Sequence, residues 1–326
     1  MPAPIIPLLM LVAAALFSSV SIALAEDFTL RQPIACELGK DCFIQQYVDH
    51  DTGPKARDFT CGALSYDGHK GTDFGLPSLS AMRSGVDVLA AASGRVVAFR
   101  DGMPDTGADN TPPDQLKNRE CGNGVVIRHS GGYETQYCHL KSGSIIVKKG
   151  QTIQTGDILG EVGFSGRTQF PHVHLSVRRH GQVIDPFAIE HLDECGGDST
   201  GIWAKPPQYT AGGFLSAGFA DAVPDYQVIK DGSAARSELP NTAPALVLWG
   251  YAFGGQGGDE ITFSITGPNG SFANSSHSLD RNKAQFFRAT GKKTRNGLPS
   301  GRYLGEMTIL RGGKVIDRIT TQTLVE

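Results

Sequence analysis

Apolar and polar residues alternate with period two in short runs separated by glycine. In 172–178, Val173, Leu175 and Val177 alternate with His172, His174 and Ser176. A strand there puts three aliphatic side chains on one face and two imidazoles and a hydroxyl on the other. Ile261, Phe263 and Ile265 mark a second clear alternation in 260–265. Further strands are predicted at 86–90, 94–99, 124–129, 133–139 and 144–148, with a strand start within 156–160. Gly131 and Gly132 join two of these runs as a hairpin. Residues 43–48 read as a short helix or strand. The polar stretch 100–119, with Pro104, Pro112 and Pro113, reads as a surface loop inserted between strands. Toward the C-terminus, strands are predicted at 245–251, 260–265, 284–288, 301–310 and 315–320. Short strands, glycine turns and few helical stretches predict an all-β or β-dominated chain, with a small β-sandwich of immunoglobulin-like shape at its C-terminal end.

The first 25 residues change the picture, because they carry no Lys, Arg, Asp or Glu and end in Ala23-Leu24-Ala25 before Glu26-Asp27. Small residues at the end of an apolar run predict a cleaved signal peptide over 1–25, with an uncleaved membrane anchor as the alternative. No later run is long and apolar enough for a second span. Glycine and proline cluster over 196–212 and predict a linker there. The expected organisation is therefore a domain over 26–195 with an N-terminal extension, a linker over 196–212, and a second domain over 213–326. A formal net charge of −3, from 30 basic and 33 acidic residues, leaves no excess for nucleic-acid binding. With 40% hydrophobic residues, the chain has the material for folded cores.

All six cysteines, Cys36, Cys42, Cys61, Cys121, Cys138 and Cys195, lie before residue 196. An even count behind an export signal predicts disulfides. Cys36 and Cys42 are near enough to close a small loop. Cys121 and Cys138 flank a strand-turn-strand pattern, which leaves Cys61 with Cys195, although other pairings stay open. A cysteine metal site is disfavoured because no C-x-x-C occurs.

Eight of the nine histidines lie between 50 and 191. Two arrangements stand out: His69 with Asp73 four residues on, and the His172-Val173-His174 pair. A strand cannot bring His69 and Asp73 to one point without a turn, and Gly71 is placed to supply the bend. Two neutral imidazoles and one carboxylate suit zinc and leave a fourth position for water. His50, His129, His180 and His191 read as surface or core groups. His277 is the one histidine of the C-terminal region.

In order, the chain shows His69…Asp73, Ala91-Ala92-Ser93-Gly94-Arg95-Val96-Val97, Gly124-Val125-Val126-Ile127, Tyr137-Cys138-His139-Leu140, Gly163-Phe164-Ser165-Gly166 and Pro171-His172-Val173-His174-Leu175. Over residues 60–190 this set resembles the zinc metallopeptidases of the lysostaphin and LytM type, peptidase family M23. The resemblance implies an antiparallel sheet with a groove whose floor holds one zinc ion per chain. It implies His69, Asp73 and His174 as ligands, and His172 and His139 as non-ligand active-site histidines. It also implies hydrolysis of amide bonds in peptidoglycan stem peptides or cross-links, in the periplasm or outside the cell. Two other readings are a non-catalytic regulator of cell-wall amidases and a zinc peptidase acting on a non-wall peptide. The C-terminal region is expected to contact the wall or a protein. Alternation predicts that Cys138 points away from the metal, and the loop over 100–121 is expected to wall the groove.

Overall fold

The computed structural model describes residue 1 and residues 28–190, 192–197 and 201–326. The expected signal segment (Met1 apart) and His191 lie outside the described residues. In chain order the first ten strands are β1 (Phe43–Gln46), β2 (Thr72–Gly75), β3 (Asp87–Leu89), β4 (Gly94–Arg100), β5 (Asn123–Arg128), β6 (Tyr133–Leu140), β7 (Thr152–Ile153), β8 (Ile158–Glu161), β9 (His172–Arg179) and β10 (Gln182–Ile184). Two short helices interrupt them, α1 (Leu79–Arg83) and α2 (Pro113–Leu116).

Eight of these strands form one sheet in the order β1-β2-β9-β6-β5-β4-β7, with β10 beside β9, while β3 and β8 pair separately. Every neighbouring pair in the large sheet is antiparallel. One face is a core: Phe74, Val125, Ile127, Tyr137, Val173 and Leu175 are fully buried there. The opposite face carries the polar members of the same strands. In β9, Val173, Leu175 and Val177 fill the core while His172, His174 and Ser176 look the other way.

The cysteines pair as Cys36–Cys42, Cys61–Cys195 and Cys121–Cys138. The second bridge closes the longest loop, with a sequence separation of 134.

The C-terminal strands are β11 (Gly213–Ala220), β12 (Glu238–Leu239), β13 (Ala245–Gly255), β14 (Glu260–Gly267), β15 (Gly270–Ser278), β16 (Lys283–Lys293), β17 (Gly301–Arg311) and β18 (Lys314–Val325), with α3 (Tyr226–Asp231) after β11. They form a three-stranded sheet, β11-β13-β16, and a five-stranded sheet, β12-β18-β17-β14-β15. Both contribute to one apolar cluster, with Phe219 and Leu248 from the first and Ile261, Phe263, Ile265 and Met307 from the second. This region meets the first through the rings of Phe43 and Phe253, 4.6 Å apart. Gln45 Nε2 donates to the Ala284 carbonyl at 2.7 Å, and Arg83 pairs with Asp231 at 2.9 Å. Residues of the glycine- and proline-rich stretch pack back onto the first region. Ile202 and Trp203 are buried in its core, and the Tyr209 hydroxyl donates to Asp58 at 2.8 Å.

Two sequence expectations need correction. Residues 144–148 are not a strand. Their amides go to scattered acceptors, Lys141 O for Ser144, Leu159 O for Ile146 and the Gln151 side chain for Lys148, so no ladder forms. Cys138 does not point away from His174. It stands directly opposite His174 in the β6–β9 ladder, and partnered residues share a face. Alternation fails after Cys138 because His139 has φ 64°, which turns its side chain out of register.

Candidate metal centre

Asp73 of β2 and His174 of β9 are ladder partners, so the sheet itself sets them side by side. Asp73 Oδ1 lies 2.8 Å from His174 Nδ1. His69 precedes β2 and reaches the same point over a bend at Gly71. Its Nε2 is 3.2 Å from both Asp73 Oδ1 and His174 Nδ1. The bend does not require a left-handed glycine. A Cβ on Gly71 would meet His174 Nε2 at 2.5 Å, so the glycine is there to let the imidazole in.

His69 Nδ1 lies 2.7 Å from the Tyr47 carbonyl and must donate to it. In the neutral ring this leaves Nε2 as a bare lone pair directed at Asp73 and His174. The turn before His69 is tied down by Asp49. Its carboxylate accepts the amides of Asp51, Arg57 and Gly68, and its own amide donates to the His69 carbonyl. The three candidate ligand atoms lie within 4.8 Å of one another. Two ring nitrogens and a carboxylate oxygen converging on one point are a donor set that fits zinc.

His172 and His139 stand beside this set. His172 Nδ1 is 3.0 Å from the Phe170 carbonyl and 3.1 Å from the Thr168 hydroxyl, which turns Nε2 toward Asp73 Oδ1 at 3.4 Å. Phe170 stacks on the His172 ring at 4.3 Å. His139 Nδ1 lies 2.8 Å from the Ser165 carbonyl, and its amide donates to Cys121 O at 2.8 Å. The His139 ring is 4.6 Å from that of His172 and 6.1 Å from that of His174. Both rings therefore present Nδ1 to a backbone carbonyl, and Nε2 of His172 faces the Asp73 carboxylate.

Electrostatics follow from burial. Burial alone pushes the Asp73 carboxyl up, but His69 and His172 outweigh it and hold the group well below the usual carboxylate range. Burial lowers His174, against the pull of Asp73. Burial, then the neighbouring His172 and His174, pushes His139 well below the usual imidazole value. Desolvation also lowers His69, yet Asp73 reverses the sign and its pKa ends raised.

Several participants carry no sequence signal. Tyr66 is 55% exposed and its ring lies 4.4 Å from that of His69. Asp49 and Thr168 act through hydrogen bonds and lie outside the ordered motifs, while Ser165 lies inside one but acts through its backbone carbonyl. The loop over 100–121 is pinned beside the centre. Asp101 accepts the amides of Gly102 and Gly143, and Asp105 those of Ser142 and Phe164. Gly107 N donates to Phe164 O and Ala108 N to Thr168 O, which ties the loop to the segment that orients His139 and His172.

The remaining histidines lie elsewhere. His50 is buried against Asp185 at 2.8 Å, His129 is buried between Ser93 and Thr135, and His180 sits in the β9–β10 turn with φ 51°. Cys36, Asp41 and Cys42 also lie close together, but both sulfurs are engaged in a disulfide.

Residues 67–186 match the model of peptidase family M23. The DD-carboxypeptidase/endopeptidase Mpg of Neisseria meningitidis serogroup B is 28% identical over 121 residues, 37% of this chain and 22% of that protein. The peptidoglycan DD-endopeptidase ShyA of Vibrio cholerae is 34% identical over 117 residues, 36% of this chain and 22% of that protein. The chain thus spans about a fifth of the length of these curated relatives (22%). Among solved structures, a zinc-containing peptidase from Vibrio cholerae is 27% identical with a TM-score of 0.28, covering 43% of this chain and 38% of the other. The lysostaphin catalytic domain from Staphylococcus simulans is 23% identical with a TM-score of 0.27, covering 43% and 85%. The match over 67–186 takes in every strand of the large sheet but β1 and every residue of the His–Asp–His cluster, and over these residues the chain is similar to peptidase family M23.

Proposed function

We propose that the chain is an exported zinc metalloendopeptidase that hydrolyses amide bonds in peptidoglycan stem peptides or cross-links. The observation that carries this reading is the convergence of His69 Nε2, Asp73 Oδ1 and His174 Nδ1 within 4.8 Å, with His139 and His172 beside them. His69, Asp73 and His174 would hold the zinc. When bound, zinc supplies Lewis-acid polarisation of a carbonyl and acidifies a water.

The rest of the work falls to the chain's own groups. His172 and His139 each have Nδ1 committed to a backbone carbonyl, so each exchanges protons at Nε2. One takes a proton at that atom and the other returns one to the leaving amine. Their rings are 4.6 Å apart, in contact with each other, so both can face a single peptide bond from the same side. Phe170 fixes the His172 plane by stacking on it. The pinned loop over 100–121 walls the approach and orders the peptide.

Three disulfides fit an oxidising compartment, and with the apolar segment over 1–25 they support export, with the periplasm as destination. Residues 26–195 would form the peptidase domain with its N-terminal extension. Residues 213–326 would be a β-sandwich module that contacts the wall or a protein. Names of the relatives, peptidoglycan DD-endopeptidases among them, support the substrate class. Digestion of purified peptidoglycan, read by mass spectrometry, tests the proposal. The expected result is release of cross-link fragments that stops with a chelator and returns with added zinc. Intact cross-links in the presence of zinc would overturn it.

A further inference from the structure

The ladder partners trace one row across the open face of the large sheet. Asp73 pairs with His174, His174 with Cys138, and on the far side Gly124 with Arg100. Cys138 and Gly124 meet at the disulfide, because a Cβ on Gly124 would stand 2.9 Å from Cys121 Sγ. Between the metal centre and Arg100 the floor is therefore a disulfide and a residue with no side chain. The Gln136 side chain reaches this floor from the side, its Nε2 donating to Cys121 Sγ at 3.3 Å. At the Arg100 end, a cavity of about 300 Å³ over Cys121 and Gly124 adjoins one of about 620 Å³ under the inserted loop, and Arg100 lines both.

Two guanidiniums line this end beside two carboxylates, Asp101 in the larger cavity and Glu120 in the smaller. Arg100 Nε donates to Gly122 O at 2.6 Å, which anchors the guanidinium and leaves its terminal amino groups free. Arg119 also lines the larger cavity. Among the described residues neither guanidinium takes part in an ion pair within 4 Å. Burial and the nearby Arg119 lower the Arg100 pKa, as expected for two cations sharing one space, while Glu120 acts against this. These acids keep their charge, but they accept backbone amides and pair with neither guanidinium within 4 Å. Asp101 and Asp105 accept the amides described above, and Glu120 accepts the Asn118 amide at 3.2 Å.

We propose that Arg100 and Arg119 form a carboxylate-binding subsite, so that the peptide cut at the metal centre is an acidic one. This rests on the hydrolase reading above for its reaction, but not for its binding. His174 and Arg100 are three strands apart in the row, roughly 14 Å at a strand spacing of ~4.8 Å. An extended peptide rises ~3.3 Å per residue, so the subsite meets a carboxylate about four residues from the scissile bond. Two guanidiniums offer paired donors matched to a carboxylate, a side-chain or a terminal one.

The test uses the full chain carrying His172→Ala, so that binding is read without turnover. Synthetic hexapeptides are compared in pairs that differ only by carboxylate against carboxamide, with the group moved one residue at a time. The expected result is an acid preference of about tenfold at one position, weakening with salt. Arg119→Gln, whose side chain makes no hydrogen bond in the structure, collapses that preference, and so does Arg100→Gln. Equal binding of acid and amide at every position overturns the subsite, as does a preference that survives both substitutions. A wild-type chain that shows the preference but cuts no peptide overturns the proposed reaction and leaves the subsite standing.

Discussion

Gly71 lies against the His174 imidazole so closely that an added Cβ would stand 2.5 Å from Nε2, 2.6 Å from Cε1 and 2.7 Å from the Leu175 carbonyl. Two of those neighbours belong to the ring proposed to bind zinc and the third to backbone, so none can yield cheaply. Gly71→Ala is expected to turn His174 and weaken zinc binding about 10- to 100-fold, the range for disturbing a ligand's support. Competition against a chromophoric chelator measures it. Unchanged affinity would show that His174 is not held there as a ligand.

His139 keeps φ 64° at the end of β6, a conformation that costs a non-glycine residue about 1–2 kcal/mol. The Cys121–Cys138 bridge and the His139 amide bond to Cys121 hold it. Replacing both Cys121 and Cys138 by Ser is expected to lower kcat more than it raises KM, with zinc content kept. Steady-state kinetics beside metal analysis separates these. A KM change alone would mean that the bridge shapes the groove floor and does not position His139.

How much of this was legible in the sequence depends on the length scale. The β9 alternation was readable because Val173, Leu175 and Val177 obey the period of a strand with one buried face. His69, Asp73 and His174 were readable only as an ordered set, since the ladder that joins β2 to β9 spans about a hundred residues. The orientation of Cys138 was misread because a single left-handed residue, His139, resets the alternation. β15 was missed for another reason. Its sequence, Gly270–Ser278, is mostly small and polar, and it is a strand because β14 offers it a ladder. Asp49, Ser165 and Thr168 stayed invisible because their roles lie in hydrogen bonds that only the folded chain brings about.

Asp49 caps three amides in the turn that presents His69. Asp49→Ala leaves those donors without their acceptor and is expected to lower stability by about 1–3 kcal/mol, with a parallel loss of zinc affinity. Thermal unfolding of metal-free and zinc-loaded protein reads both. If Tm falls equally in the two states, the turn is structural but not coupled to the metal.

His129 supplies a pH dependence away from the metal centre. Its Nδ1 donates to Ser93 O at 2.8 Å, so Nε2 of the neutral ring accepts from the Thr135 hydroxyl at 2.8 Å. Burial lowers its pKa below the usual 6.5, against the Ser93 carbonyl and Glu134. The folded state then binds fewer protons than the unfolded chain below pH ~6.5, so this stability is present above that pH and is lost as pH falls through it. His129→Gln is expected to flatten the acid limb by up to about 1.4 kcal/mol per pH unit in denaturant titrations between pH 7 and 5. An unchanged slope would contradict a buried neutral His129.

The central claim is that His69, Asp73 and His174 hold the zinc that this chain uses to cut peptide bonds, and one paired measurement addresses it. Zinc content and hydrolysis of purified peptidoglycan are determined for the full chain and for Asp73→Ala. The expected result is one zinc per chain and released peptide fragments for the native sequence, with both lost in the variant while the fold persists by circular dichroism. Full hydrolysis by an Asp73→Ala chain that still holds one zinc would contradict it.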